Sequence, residues 1–126
     1  MKERETGISQ CPLHSEKVLL SIGDALEAVN GKWRIKIIAV LLDEPKRFRE
    51  ISLLIGQITD RMLSIELKKL ETNLLIKRAS KYSAQAEYEL TDHGKSLKPL
   101  IMELIKWGEM HREKVISSFK FHEHTT

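Results

Sequence analysis

Apolar residues recur three or four apart along most of this chain, and the places where that period breaks divide it into elements. Residues 1–14 are polar and include Gly7 and Pro12, which marks a loose arm. From Ser15, an N-cap candidate, Val18, Leu19, Ile22, Leu26 and Val29 repeat at helical spacing, and Gly23 is a point where the run can divide in two. Asn30-Gly31 reads as a stop and turn. Lys32–Leu42 then carries Trp33, Ile35, Ile37, Ile38, Val40, Leu41 and Leu42. A helix apolar nearly all round is a buried helix, so this segment predicts the centre of the core. Asp43-Glu44-Pro45 ends it.

Phe48-Arg49-Glu50-Ile51 and Leu54-Ile55 predict a short amphipathic helix, and Gly56-Gln57 separates it from the stretch Ile58–Leu74. That stretch opens with Thr59, whose side-chain oxygen can accept from the free amides of a first helical turn. Leu63, Leu67 and Leu70 make a narrow apolar stripe, while Arg61, Ile65, Lys68 and Thr72 lie on the opposite side with Ser64 on the flank. Taken alone, this is an ordinary surface helix as readily as a major-groove reading helix. Its place after a short helix and a glycine-containing turn fits the helix-turn-helix pattern. The period then changes from helical to alternating. Leu75–Tyr82 and Ala86–Leu90, joined by Ser83-Ala84-Gln85, predict a β-hairpin, and a basic hairpin after a helix-turn-helix is a winged helix in outline.

Thr91 and Asp92 open the last element. Leu97, Leu100, Ile101, Leu104, Ile105, Trp107, Gly108, His111 and Val115 cover an arc of about 160° on a helical wheel. Pro99 falls inside this helix and predicts a kink. The arc is too wide for one side of a small domain and is more economically covered by a partner, an identical chain being the simplest. Residues 119–126 read as a frayed tail.

Composition narrows the classes. The chain has 126 residues, 41% hydrophobic and 31% charged, which fits one folded domain rather than a disordered segment. The longest apolar run, Ile37–Leu42, is far short of a membrane span, and the basic start has no apolar stretch behind it, so a cytoplasmic protein is expected. The single cysteine, Cys11, excludes an intrachain disulfide framework. A net charge of +3 permits nucleic-acid binding without diagnosing it, so the placement of charge must decide. No glycine-rich phosphate loop, serine elbow or zinc-spaced Cys/His set is present, so neither an enzyme nor a cofactor or metal protein is expected. His122-Glu123-His124 lies in the tail, where no fixed ligand geometry is expected.

At this point the residues resemble the HxlR-type transcriptional regulators, winged helix-turn-helix proteins related in fold to the MarR group. The resemblance rests on Gly31-Lys32-Trp33, Arg47-Phe48-Arg49-Glu50-Ile51, Ile58-Thr59 with Arg61-Met62-Leu63, and Leu67-Lys68-Lys69-Leu70-Glu71. Leu75-Ile76-Lys77-Arg78, Glu87-Tyr88-Glu89-Leu90-Thr91 with Gly94, and Trp107 continue it, over about residues 20–112. It implies a homodimer joined through terminal helices, with its two reading helices in successive major grooves of a near-palindromic operator. The chain departs from the family pattern at Asn73-Leu74, where a glycine is usual and where Asn can take the left-handed turn. It departs again at Ser83-Ala84-Gln85-Ala86, where the wing tip usually has proline. Cys11-Pro12 lies farther from Gly31-Lys32-Trp33 than the family's Cys-Pro does.

The resulting expectation is a mainly α fold with a small β-hairpin wing, a winged helix-turn-helix domain over residues 15–118 with N- and C-terminal dimerisation helices. The reading helix is placed at about 59–72, the wing at 75–90 and the C-terminal helix at 92–118. Arg61, Ser64, Ile65 and Lys68 are the candidates for base edges, since Arg can fork onto guanine and Ile can meet a thymine methyl. Lys77, Arg78 and Lys81 are candidates for phosphates, although strand alternation prevents all of them from facing DNA, and Thr59 can meet a phosphate at the helix start. Leu97, Leu100, Ile101, Leu104, Trp107 and His111 are the candidate dimer contacts. Cys11, with His14 and Lys17 nearby, is the candidate redox site, an inert surface thiol being the plainer reading. The competing function is a winged-helix protein-interaction module without DNA binding. Under the first reading the partners are double-stranded DNA, a second copy, and a small-molecule or redox effector that the sequence does not identify, with no membrane.

Overall fold

The structure is a computed structural model that describes residues 12–79 and 86–125, with side chains described as far as Phe119. Helix α1 spans Glu16–Val29, and the Ser15 hydroxyl caps it by accepting from the Val18 amide at 3.3 Å. It runs unbroken through Gly23, contrary to the expected division, because a mid-helix glycine costs only about 1 kcal/mol relative to alanine. Asn30 ends it in an extended conformation, and Gly31 turns the chain at φ 103°. Helix α2, Arg34–Val40, is shorter than the predicted segment but occupies the predicted place. Ile37 and Ile38 are wholly buried, and Leu41 closes the same cluster. Trp33 stands half-buried at its start, with the ammonium groups of Lys32 and Lys36 over its ring at 4.8 and 5.3 Å.

Strand β1, Lys46–Arg47, is an element that the pattern did not predict, since two residues are too short to display alternation. Lys46 is buried and donates to Asp43 at 2.7 Å, and that bond holds the Asp43 carboxyl below its usual range. Helix α3, Phe48–Ile55, follows at once, with the Arg47 amide donating to the Glu50 carboxylate at 2.9 Å. Gly56, at φ 84°, turns the chain into α4, Asp60–Thr72. Thr59 caps α4 as expected, accepting from the Met62 amide at 3.1 Å, and Leu63, Leu67 and Leu70 are buried.

The exit from α4 is a Schellman turn: the Leu75 amide donates to Leu70 O and the Leu74 amide to Glu71 O, both at 3.0 Å. The residue in the left-handed region is Leu74, at φ 63°, and not Asn73, which stays at φ −84° with its side-chain amide donating to Lys69 O. Strand β2, Ile76–Arg78, pairs antiparallel with β3, Glu87–Leu90, in the register Ile76↔Leu90, Lys77↔Glu89, Arg78↔Tyr88. β1 pairs with the other edge of β3, giving the sheet order β1-β3-β2.

Helix α5, Asp92–Lys95, is capped by Thr91, whose hydroxyl accepts from the Gly94 amide at 2.9 Å and donates to Leu74 O at 2.6 Å. Helix α6 then runs over Lys98–Thr125. The single helix expected over 92–118 is therefore two, broken at Ser96-Leu97. Pro99 lies in the first turn of α6, where its missing N–H leaves no helical bond unmade, so it kinks nothing. The helix also continues through the tail expected to fray from Phe119, as far as Thr125. The core formed by α2, α3, α4 and the sheet includes Ile101 of α6. The architecture is mainly helical with a small antiparallel sheet, a winged helix-turn-helix in which α3 and α4 form the motif and β2–β3 the wing.

Candidate nucleic-acid interface

Burying Leu63, Leu67 and Leu70 turns the opposite side of α4 outward. Arg61, Ser64, Ile65 and Lys68 are all exposed there, as the helical spacing requires. Among the described residues, Arg61 and Lys68 have no ion pair, so both cations are available to an outside anion. Thr72 shares that side, but its hydroxyl donates to Lys68 O at 3.0 Å within the helix. The Thr59 oxygen is committed to the cap at the Met62 amide, which leaves its proton to donate.

The sheet register separates the wing residues. Arg78 pairs with Tyr88 and lies over its ring, 5.7 Å from the centroid, on the side of the sheet that faces α4. There it lines a groove of about 250 Å³ with Ser64, Leu67, Lys68, Glu71 and Tyr88. Lys77 takes the other face and reaches across to Glu89 at 3.9 Å. The structure thus brings Ser64, Lys68 and Arg78 together and leaves Lys77 apart. Lys81 lies outside the described residues.

Sequence reasoning missed two features. A wider cleft of about 860 Å³ opens between the start of α3 and β3, lined by Arg47, Phe48, Arg49, Glu50, Ala86, Glu87 and Tyr88. Its arginines, Arg47 and Arg49, stand in the motif that carries the resemblance, which is the signal in the sequence that points to them. The other is Glu66, which is buried at 6% exposure on the inner side of α4. An acid in line with Leu63, Leu67 and Leu70 on the apolar stripe was the available signal.

The expected dimer residues also separate. Ile101, 1% exposed, is closed off within the chain's own core and is not free to meet a partner, whereas Leu97 packs against that core and keeps part of its surface exposed. Leu100, Leu104, Trp107 and His111 are exposed on α6, with the rings of Trp107 and His111 stacked at 4.7 Å. Met110, Val115, Ile116 and Phe119 continue the exposed apolar surface along α6, and Leu19, Leu20, Ile22 and Leu26 are exposed on α1. No helix among the described residues is long and apolar enough to cross a membrane. Cys11 lies outside the described residues.

Comparison with known proteins gives a consistent picture. The HxlR-like helix-turn-helix family model matches residues 28–116. The HTH-type transcriptional regulator YdeP of Bacillus subtilis, itself uncharacterized, is 31% identical over 124 residues, covering 91% of this chain and 90% of its own. Among solved structures, the redox regulator HypR in its reduced form superposes with a TM-score of 0.72 at 30% identity, covering 77% of this chain and 98% of that one. Quinone-bound YodB from B. subtilis gives a TM-score of 0.63 at 33% identity, over 71% of this chain and 97% of its own.

Proposed function

Because this chain belongs to the HxlR-like helix-turn-helix family of transcriptional regulators, we propose that it acts as a homodimer binding a near-palindromic operator sequence-specifically. Each α4 enters a major groove, and two-fold symmetry sets the grooves about one helical turn apart, roughly 10 bp. The observation that carries the proposal is the outer face of α4. Arg61 and Lys68 stand exposed there without ion pairs among the described residues, beside Ser64 and Ile65. Arg61 offers a fork for guanine, Ser64 a short donor and acceptor, and Ile65 a methyl contact for thymine. Arg78, beside the same helix, offers a cation to a phosphate, and Thr59 offers a hydroxyl at the start of α4. Such work is done where the chromosome is, in the cytoplasm.

Selection of DNA from a random pool by the purified protein tests this directly. A two-fold symmetric site should emerge, and Arg61→Ala should cost about 1–3 kcal/mol at one base position in each half-site. Affinity should fall steeply with salt, with a log–log slope of about −0.9 per phosphate neutralised. Failure to enrich any sequence, together with salt-insensitive binding, would exclude the DNA reading and favour a protein-interaction module instead.

The likeness to HypR, described as a redox regulator, and to quinone-bound YodB supports Cys11 as a redox- or electrophile-responsive residue. Diamide or a quinone should then change operator affinity in the wild type and leave Cys11→Ser unaffected. An equal response in both proteins removes Cys11 from the mechanism.

A further inference from the structure

One guanidinium joins the reading helix to α1. Arg34, at the start of α2, donates through Nε to Glu66 Oε1 at 3.0 Å and through Nη1 to the main-chain carbonyl of Glu27 at 2.9 Å. Glu66 belongs to α4 and Glu27 to the last turns of α1, so the planar fork of one side chain holds two elements that do not follow one another. The remaining Glu66 oxygen lies 3.7 Å from Lys69. The Arg34 and Glu66 side chains are 13% and 8% exposed, so the pair is largely withdrawn from solvent.

Stability does not account for such a pair. Removing two charges from water costs several kcal/mol per ion before their attraction is counted, and apolar residues of similar volume are often as stable or more so. What an arginine fork supplies and a leucine does not is a fixed distance and angle between its partners. α1 is the element whose Leu19, Leu20, Ile22 and Leu26 are exposed in this chain, and α4 is the element whose outer face would meet DNA.

We propose that Arg34 and Glu66 are positioning residues that lock the angle between α1 and the reading helix, and so set the half-site spacing the dimer accepts. The proposal rests on the DNA-binding reading above. Neither residue touches DNA: Glu66 faces inward, and Arg34 acts only through it. A dimer assembled partly through α1 transmits its two-fold geometry to α4 along this strut.

The test compares wild type with Arg34→Met/Glu66→Leu, which keeps the volume filled, and with Arg34→Lys, which keeps the charge but loses the fork. Binding is measured to a single half-site and to paired half-sites whose spacing varies in single base pairs. The wild type is expected to discriminate about tenfold between its best spacing and the next, ~1.4 kcal/mol. Both variants should bind a single half-site within about twofold of wild type and lose most of the spacing preference. A readout independent of DNA accompanies this. Spin labels at Asp24→Cys and Thr72→Cys in a Cys11→Ser background, diluted with unlabelled protein, report the α1–α4 distance within one chain. A narrow distribution in the otherwise unaltered labelled chain that broadens when either strut change is introduced is the expected result.

Unchanged label distances, or an unchanged spacing profile in a folded variant, overturn the proposal. If the wild type binds no DNA at any spacing, the DNA-binding reading and the spacing clause fall together, and the label distances still decide whether the strut holds α1 to α4. Should the double variant fail to fold, Arg34→Lys carries both measurements.

Discussion

Replacing Leu74 by glycine should stabilise this domain, although it deletes a large apolar side chain. Leu74 occupies the left-handed C′ position of the turn that ends α4, at φ 63°, and an L-residue there pays about 1–2 kcal/mol for the approach of Cβ to the following carbonyl. The turn has no freedom to relax. Leu70 and Glu71 carbonyls accept from the Leu75 and Leu74 amides at 3.0 Å, and the Leu74 carbonyl accepts from the Thr91 hydroxyl at 2.6 Å. Glycine removes the conformational cost but widens the unfolded ensemble, returning about 0.4–1 kcal/mol. The leucine side chain is 70% exposed, so its deletion sacrifices little burial, and part of that shielding persists in the unfolded chain. The net gain is about 0.5 kcal/mol, and the gain over alanine, which keeps the Cβ and buries nothing, is about 0.5–1 kcal/mol.

Urea unfolding at one fixed protomer concentration measures this, because dimerisation would make the midpoint depend on concentration. Leu74→Gly should unfold at higher urea than Leu74→Ala with an unchanged slope, and Leu74→Asn should fall between them. In a thermal scan a gain of 0.5 kcal/mol corresponds to roughly 2 °C for a chain of this size. A glycine variant no more stable than the alanine variant would show that the left-handed position carries no cost here.

Three further outcomes follow from the geometry. Gly94→Ala should cost about 3 kcal/mol, the upper end of what overpacking costs, read by the same urea titration. Its Cβ would sit far inside van der Waals contact of the Leu75 carbonyl oxygen and 3.3 Å from Leu90 Cδ2, and a backbone carbonyl in a paired turn cannot move aside. Leu104→Glu places a charge on the exposed apolar surface of α6, where Leu104 is 44% and Trp107 57% exposed, and should yield a folded monomer by sedimentation velocity; an intact dimer would take that surface out of the interface. Arg78→Ala should lower the magnitude of the salt slope by about 1, whereas Lys77→Ala should leave it nearly unchanged; equal effects would contradict the division made by the sheet register.

The elements that were legible in advance are those whose periodicity was long enough to measure. The stripe Leu63, Leu67, Leu70 and the cap at Thr59 define both faces of α4 from the sequence, and the apolar run around Ile37 and Ile38 marks the core. The misses are tertiary. β1 exists only because β3 offers an edge to Lys46 and Arg47. The break before α6 depends on Gly94 packing beneath Leu75, a contact some twenty residues distant in sequence. Ile101 belongs to the same apolar arc as Leu104 and Trp107, and a helical wheel cannot tell which part of an arc the chain's own core has already taken. Asparagine tolerates the left-handed region, so the sequence points to Asn73 for that position. Hydrogen-bond geometry, in which the Leu75 amide must reach Leu70 O, moves that position one residue on.

The modest net charge of +3 is the strongest sequence-level objection to DNA binding, and the fold answers it by where the acids go. On α4, Asp60 sits in the first turn, where a carboxylate suits the helix dipole, and Glu66 is turned inward to Arg34 and Lys69. Glu89 faces Lys77 on the far side of the sheet, and Asp43 faces buried Lys46. Of the α4 acids, Glu71 remains near the outer groove, half-buried and beside Lys68 and Arg78. The cations on the outer face of α4 are therefore offset less than the composition suggests. Phosphates respond to the local field within about one Debye length, roughly 8 Å in physiological salt, rather than to a sum over the chain. In the proposed two-fold dimer this face is presented twice, so local charge placement on α4, rather than the sum over the chain, is the quantity on which the proposed DNA binding rests.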